Sequence, residues 1–76
     1  MMIYVSDSPM GRNIRCLRRK KKISRHKLAQ ITGIPYLTLY CLENRTLVDI
    51  DYDHLKNLCT ALCVSVEELV EKEFNL

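Results

Sequence analysis

An all-α fold of five short helices in one domain is predicted by three features of the sequence. Apolar residues recur at three- and four-residue intervals along most of the chain, and serine, aspartate and proline stand where helices should open. Gly33 separates two amphipathic stretches so closely that the chain must reverse within three residues. The 76 residues form a single domain, with an N-terminal arm (residues 1–8), a helical core (9–72) and a tail (73–76). A chain of this size buries only about 60% of the surface its unfolded form exposes, which leaves no spare volume for a catalytic cleft.

The arm, Ile3-Tyr4-Val5, is strand-like, but one short extended segment is not expected to make a sheet. Ser8-Pro9 opens the first helix as a hydroxyl cap followed by proline at the first helical position, and this helix runs from residue 9 or 10 to 21. Met10, Ile14 and Leu17 share one face of it, while Arg12, Arg15, Arg19 and Lys22 occupy the others. Ser24 caps a second helix over 25–32 with Leu28, Ala29 and Ile31 inward. Pro35 presets the backbone for a third helix over 36–43, with Leu39 and Leu42 inward. A loop then runs from Asn44 to Asp51, whose carboxylate caps a fourth helix over 52–62 that buries Leu55, Leu58, Cys59 and Leu62. Ser65-Val66-Glu67-Glu68 is a capping box announcing a fifth helix with Leu69 and Val70 inward.

The net charge of +3 hides a strong division. Residues 1–45 hold ten Lys/Arg against Asp7 and Glu43, a net of +8, whereas residues 46–76 hold Lys56 and Lys72 against seven acidic residues, a net of −5. Arg18 to Lys22 alone would read as a solvated, dipole-favoured helix end. Joined to the helix pair that follows, the cationic half is suited to a polyanion. The four cysteines, Cys16, Cys41, Cys59 and Cys63, contain no C-x2-C pair, and His26 and His54 stand at no ligand-like offset from them, so no metal is expected. Cys59 and Cys63 would share a face if the fourth helix continued, and free cysteines of this kind are expected to pack as small hydrophobes. No run approaches the roughly 18 apolar residues of a membrane span, and the apolar start is too short for a signal peptide, so a cytoplasmic protein is expected.

A helix, a tight glycine turn and a second helix constitute a helix-turn-helix, whose second helix enters the major groove. From Gly11 to about Glu71 the chain resembles the Xre/Cro/lambda-repressor family of helix-turn-helix DNA-binding domains. The resemblance rests on Ile14-x-x-Leu17-Arg18, Ile23-Ser24-x-x-x-Leu28-Ala29-x-x-x-Gly33-Ile34, Thr38-Leu39-x-x-Leu42-Glu43-Asn44 and Leu55-x-x-Leu58-Cys59-x-x-Leu62-x-Val64-Ser65-x-x-Glu68-Leu69. It implies a compact five-helix lambda-repressor-like domain. It also implies an internal ion pair of Arg18 with Glu43, a structural role for which the alternative is a further phosphate contact by Arg18. Arg25 stands where the family usually has glutamine, at a position approaching the DNA backbone. Thr38 is a further phosphate candidate, as are Arg45 and Thr46 past the third helix, although a solvated loop charge is the alternative for Arg45. Arg15 and Lys27 are peripheral candidates.

The outward positions of the recognition helix over 36–43 are Tyr36, Leu37, Tyr40 and Cys41, expected to touch base edges. None offers a bidentate bond to adenine or guanine, so contacts to thymine methyls, single phenolic hydrogen bonds and shape readout should favour A/T-leaning sites. The expected function is sequence-specific binding of double-stranded DNA as a transcriptional regulator, with no cofactor, no small-molecule ligand and no membrane. A homodimer on half-sites about 34 Å apart is expected, with either Val70, Phe74 and Leu76 or Met2, Ile3 and Tyr4 as its seam. Val70 and Phe74 could equally cover the core. The same Tyr/Leu/Cys face supports an alternative, a protein-interaction module such as an antitoxin or accessory regulator. Catalysis is not expected, because neither His26 nor His54 stands in an organised arrangement with a nucleophile.

Overall fold

A computed structural model describes residues 2–5, 9–44 and 48–74. In chain order the elements are β1 (Met2–Val5), α1 (Met10–Lys20), α2 (Arg25–Thr32), α3 (Tyr36–Glu43), β2 (Val48–Asp51), α4 (Tyr52–Leu62) and α5 (Val66–Glu71). The five helices make a compact helical domain whose core is built by Met10, Ile14 and Leu17 of α1, Leu28 of α2, Leu39 and Leu42 of α3, Leu55, Leu58, Cys59 and Leu62 of α4, and Leu69 of α5. Ile34 in the α2–α3 turn and Ile50 in β2 complete it. Val70 and Phe74 are half-buried and packed against this core.

The caps follow the side chains. Ser24 accepts from the Lys27 amide at 3.0 Å and Asp51 from the Asp53 amide at 2.9 Å, each satisfying one orphan donor at a helix start. Ser65 and Glu68 form the reciprocal capping box, with both bonds at 3.0 Å. The Ser65 backbone N–H, donating to the Glu68 carboxylate, is the main reason that the carboxyl sits below the usual carboxylate range. Ser8 lies outside the described residues; Pro9 occupies the cap position, and α1 begins at Met10.

Four expectations are corrected. The arm does have a strand partner: β1 pairs antiparallel with β2, Met2 opposite Asp51 and Val5 opposite Val48, so part of the expected 44–51 loop is strand. Ile31 is not inward but 53% exposed, and Thr32 takes the buried position on α2. Its hydroxyl donates to the Leu28 carbonyl at 2.8 Å and accepts from the Ile34 amide, so a polar side chain is satisfied without water. Helix α1 stops at Lys20, one residue early, with Lys22 left-handed (φ 58°) and the Ile23 amide returning to the Arg18 carbonyl. Finally, α4 ends at Leu62 as expected, but Cys63 turns left-handed (φ 60°) and its thiol is exposed, so of this pair only Cys59 packs as a small buried hydrophobe. Burial pushes the Cys59 thiol up.

Two close junctions fix α1 against its neighbours. At Gly11 of α1 an added Cβ would overlap the carbonyl oxygen of Leu42, so α1 crosses α3 at a distance only glycine permits. Asn13, fully buried, donates to the Leu69 and Lys72 carbonyls and accepts from the Phe74 amide, thereby tying α1 to α5 and the segment after it.

Candidate nucleic-acid interface

The bend between α2 and α3 is set by backbone chemistry. Gly33 is left-handed (φ 78°) and its amide closes α2 on the Ala29 carbonyl; Pro35 (φ −56°) then starts α3. Because Leu39 and Leu42 are buried, the opposite side of α3 must face outward. There Leu37 is 69% exposed, Tyr40 47% and Tyr36 38%, while Thr38 and Cys41 are half-buried. Arg45 and Thr46 lie outside the described residues.

Behind this surface one buried carboxylate organises the charges. Glu43, at the end of α3, receives the Arg18 guanidinium through two hydrogen bonds of 3.1 Å, Nε to Oε2 and Nη2 to Oε1. Such a fork matches carboxylate geometry and joins α1 to α3. Arg18 also donates to the Ile23 carbonyl at 3.0 Å, so its cationic side chain is folded inward and secures the connection into α2. Arg15 adds a looser contact, with Nε 3.6 Å from Oε1 and Nη2 3.4 Å from the Glu43 carbonyl oxygen. Arg25 adds a third, with Nε 3.3 Å from Oε2. Three guanidinium groups therefore share one carboxylate, leaving an excess of positive charge around it. Arg12, Arg15, Glu43 and Asn44 line a shallow hollow beside the cluster.

Arg25 does more than approach Glu43. Its Nη1 donates to the Tyr36 hydroxyl at 3.2 Å, and its guanidinium carbon lies 5.1 Å from the Tyr40 ring centre and 5.8 Å from that of Tyr36. Burial alone would lower its pKa, yet the hydrogen bonds with Tyr36 and Glu43 outweigh that loss and hold it above the ordinary arginine value. His26, next along α2, stacks on the Tyr36 ring with centroids 4.3 Å apart and planes inclined by 18°. Arg19, Lys20, Lys21, Lys22 and Lys27 are exposed.

Of the residues singled out from the sequence, the fold brings Arg18, Arg25, Tyr36, Tyr40 and Glu43 into one contiguous network. Leu37 stands on the open side of α3. Sequence reasoning missed His26 as a neighbour of Tyr36, and no signal would have shown it, because the two residues lie on different helices and meet only through the bend. It also missed Asn13 and Gly11, whose roles depend on what α1 packs against. The strand β2 did carry a signal: Val48-Asp49-Ile50-Asp51 alternates strictly between apolar and acidic residues.

Residues 13–75 match the family described as Cro/C1-type HTH DNA-binding domain. No curated protein matches the sequence. Among solved structures, a chain of the SinR protein/SinI protein complex superposes with a TM-score of 0.73 at 27% identity, covering 79% of this chain. The match spans 58% of that longer chain. The restriction-modification controller protein C.AhdI from Aeromonas hydrophila superposes with a TM-score of 0.70 at 28% identity, covering 80% of this chain and 91% of that one. Among the described residues, no helix is long and apolar enough to cross a membrane.

Proposed function

Because the chain belongs to the Cro/C1-type helix-turn-helix DNA-binding domain family, we propose that it is a sequence-specific transcriptional regulator that lays α3 in the major groove of duplex DNA. The observation carrying this reading is the outward surface of α3. Leu37 and Tyr40 are extensively exposed on the second helix of the motif, with Tyr36 beside them and a surplus of arginines behind. In this reading Tyr36, Leu37, Tyr40 and Cys41 meet base edges. Apolar contacts to thymine methyls and single phenolic hydrogen bonds then favour A/T-rich half-sites. Thr38, Arg45 and Thr46 hold the flanking phosphates and set register. Two copies bind as a homodimer in the cytoplasm, since a single domain this small reads too few bases for a unique address.

Selection from random duplex DNA at fixed salt, followed by titration of the selected and a scrambled duplex, tests the reading. The Tyr36→Ala/Tyr40→Ala double variant is expected to lose about tenfold in preference for the selected duplex, the scale of one mismatched base pair, and to keep its affinity for the scrambled one. Equal losses on both duplexes would show that the tyrosines do not read sequence. The exposure of Leu37 and Tyr40 favours one other reading, docking of a protein partner on α3. Failure to enrich any duplex would leave that reading in its place.

A further inference from the structure

We propose that Arg25 and His26 are positioning residues that hold Tyr36 and Tyr40 in one pose before DNA arrives, an inference that rests on the reading of α3 just given. An exposed tyrosine ordinarily samples several rotamers, and fixing it on binding weakens association. Here α2 does the fixing in the free protein. Arg25 Nη1 holds the Tyr36 hydroxyl, His26 stacks on the Tyr36 ring, and the Arg25 guanidinium stands 5.1 Å from the Tyr40 ring centre. Arg25 is itself held on Glu43, whose carboxylate is buried and locked by Arg18. The pose is thus tied back through Glu43 to α1.

This arrangement needs a planar fork. One edge of the guanidinium serves Glu43, Nη1 serves Tyr36 and the remaining surface lies against Tyr40, a division of contacts that a lysine ammonium cannot reproduce. In this inference Arg25 acts through the tyrosines rather than as the phosphate contact that the resemblance implies, and the salt dependence below distinguishes the two roles.

Arg25→Lys, Arg25→Ala and His26→Ala are compared with the wild type on selected and scrambled duplexes over a range of salt, with thermal melts alongside. Arg25→Lys is expected to lower the selected-to-scrambled preference about tenfold and His26→Ala about threefold, the scale of releasing one or two ordered side chains, while the salt slope stays at the wild-type value. His26→Ala leaves Glu43 untouched and so reports on Tyr36 even if the Arg25 variants are less stable. A wild-type preference in Arg25→Lys would mean that only charge matters. A salt slope shallower by about one in Arg25→Ala, with preference unchanged, would make Arg25 a phosphate contact. Either result overturns the inference. In the free protein, nuclear Overhauser contacts between His26 and Tyr36 and a single rotamer for each tyrosine are expected, averaging in Arg25→Lys; averaged tyrosines in the wild type would overturn the inference whatever the DNA results. Wild-type protein that binds no duplex would instead remove the reading of α3 itself, and this inference with it.

Discussion

Glu43 is the residue on which the helix arrangement turns. It is fully buried, it ends α3, and it accepts from Arg18 of α1 and Arg25 of α2, so one carboxylate joins three helices. Removing it strands arginines that were placed for it, whereas removing Arg18 leaves Glu43 with two remaining guanidinium partners. Breaking one side of a buried pair costs about 3–5 kcal/mol. Glu43→Ala is therefore expected to fall in that range by urea unfolding, and Arg18→Ala to cost less but still to act on stability before DNA affinity. A larger loss in Arg18→Ala than in Glu43→Ala would mean that Arg15 and Arg25 do not share the carboxylate. The juxtaposition of Arg18 with Glu43 was legible through the family resemblance. The attachment of Arg25 to Tyr36 was not, because residues eleven apart on separate helices meet only if the bend has one particular angle.

The two glycines show how differently elements can depend on the same residue type. Gly33 has open space where a side chain would be but a φ of 78°, so Gly33→Ala is strained by backbone geometry, at about 1–2 kcal/mol. Gly11 is helical and unstrained, yet its absent Cβ is what lets the Leu42 carbonyl approach. Overpacking there costs about 1–3 kcal/mol or forces α1 away from α3. Urea unfolding of Gly11→Ala and Gly33→Ala is expected to show both destabilised. Only Gly11→Ala should also disturb the Arg18 to Glu43 contact, seen as changed Arg18 side-chain resonances. The left-handed turn at Gly33 was readable from sequence since its cause is local. Gly11 was not, because its cause is a neighbouring helix. Ile31 belongs with it: helical spacing allowed Ile31 or Thr32 to face inward, and packing chose Thr32, whose hydroxyl finds backbone partners within its own turn.

At the scale of the whole molecule the charge division acts as a long-range property. The half of the chain with a net of +8 includes α1, α2 and α3, and the half with a net of −5 includes α4 and α5. A field of this kind draws an anionic duplex toward the helix-turn-helix side and orients encounter. Association with duplex DNA is expected to weaken steeply with salt, the log–log slope approaching −0.9 for each phosphate neutralised. A slope near zero would identify an apolar contact instead and favour a protein partner on α3. Sedimentation of the complex at the same salt would show two protein chains per duplex if the proposed homodimer forms.

Helix positions, most caps, the sharp bend at Gly33 and the sided distribution of charge were determined by the sequence alone, because each arises from residues within a few positions of one another or from simple counting. Tertiary structure decided the pairing of β1 with β2, the burial of Thr32 in place of Ile31, the close passage at Gly11 and the grip of Arg25 and His26 on the tyrosines of α3. These depend on contacts between segments distant in the chain, where only the packed core sets which partner comes within reach.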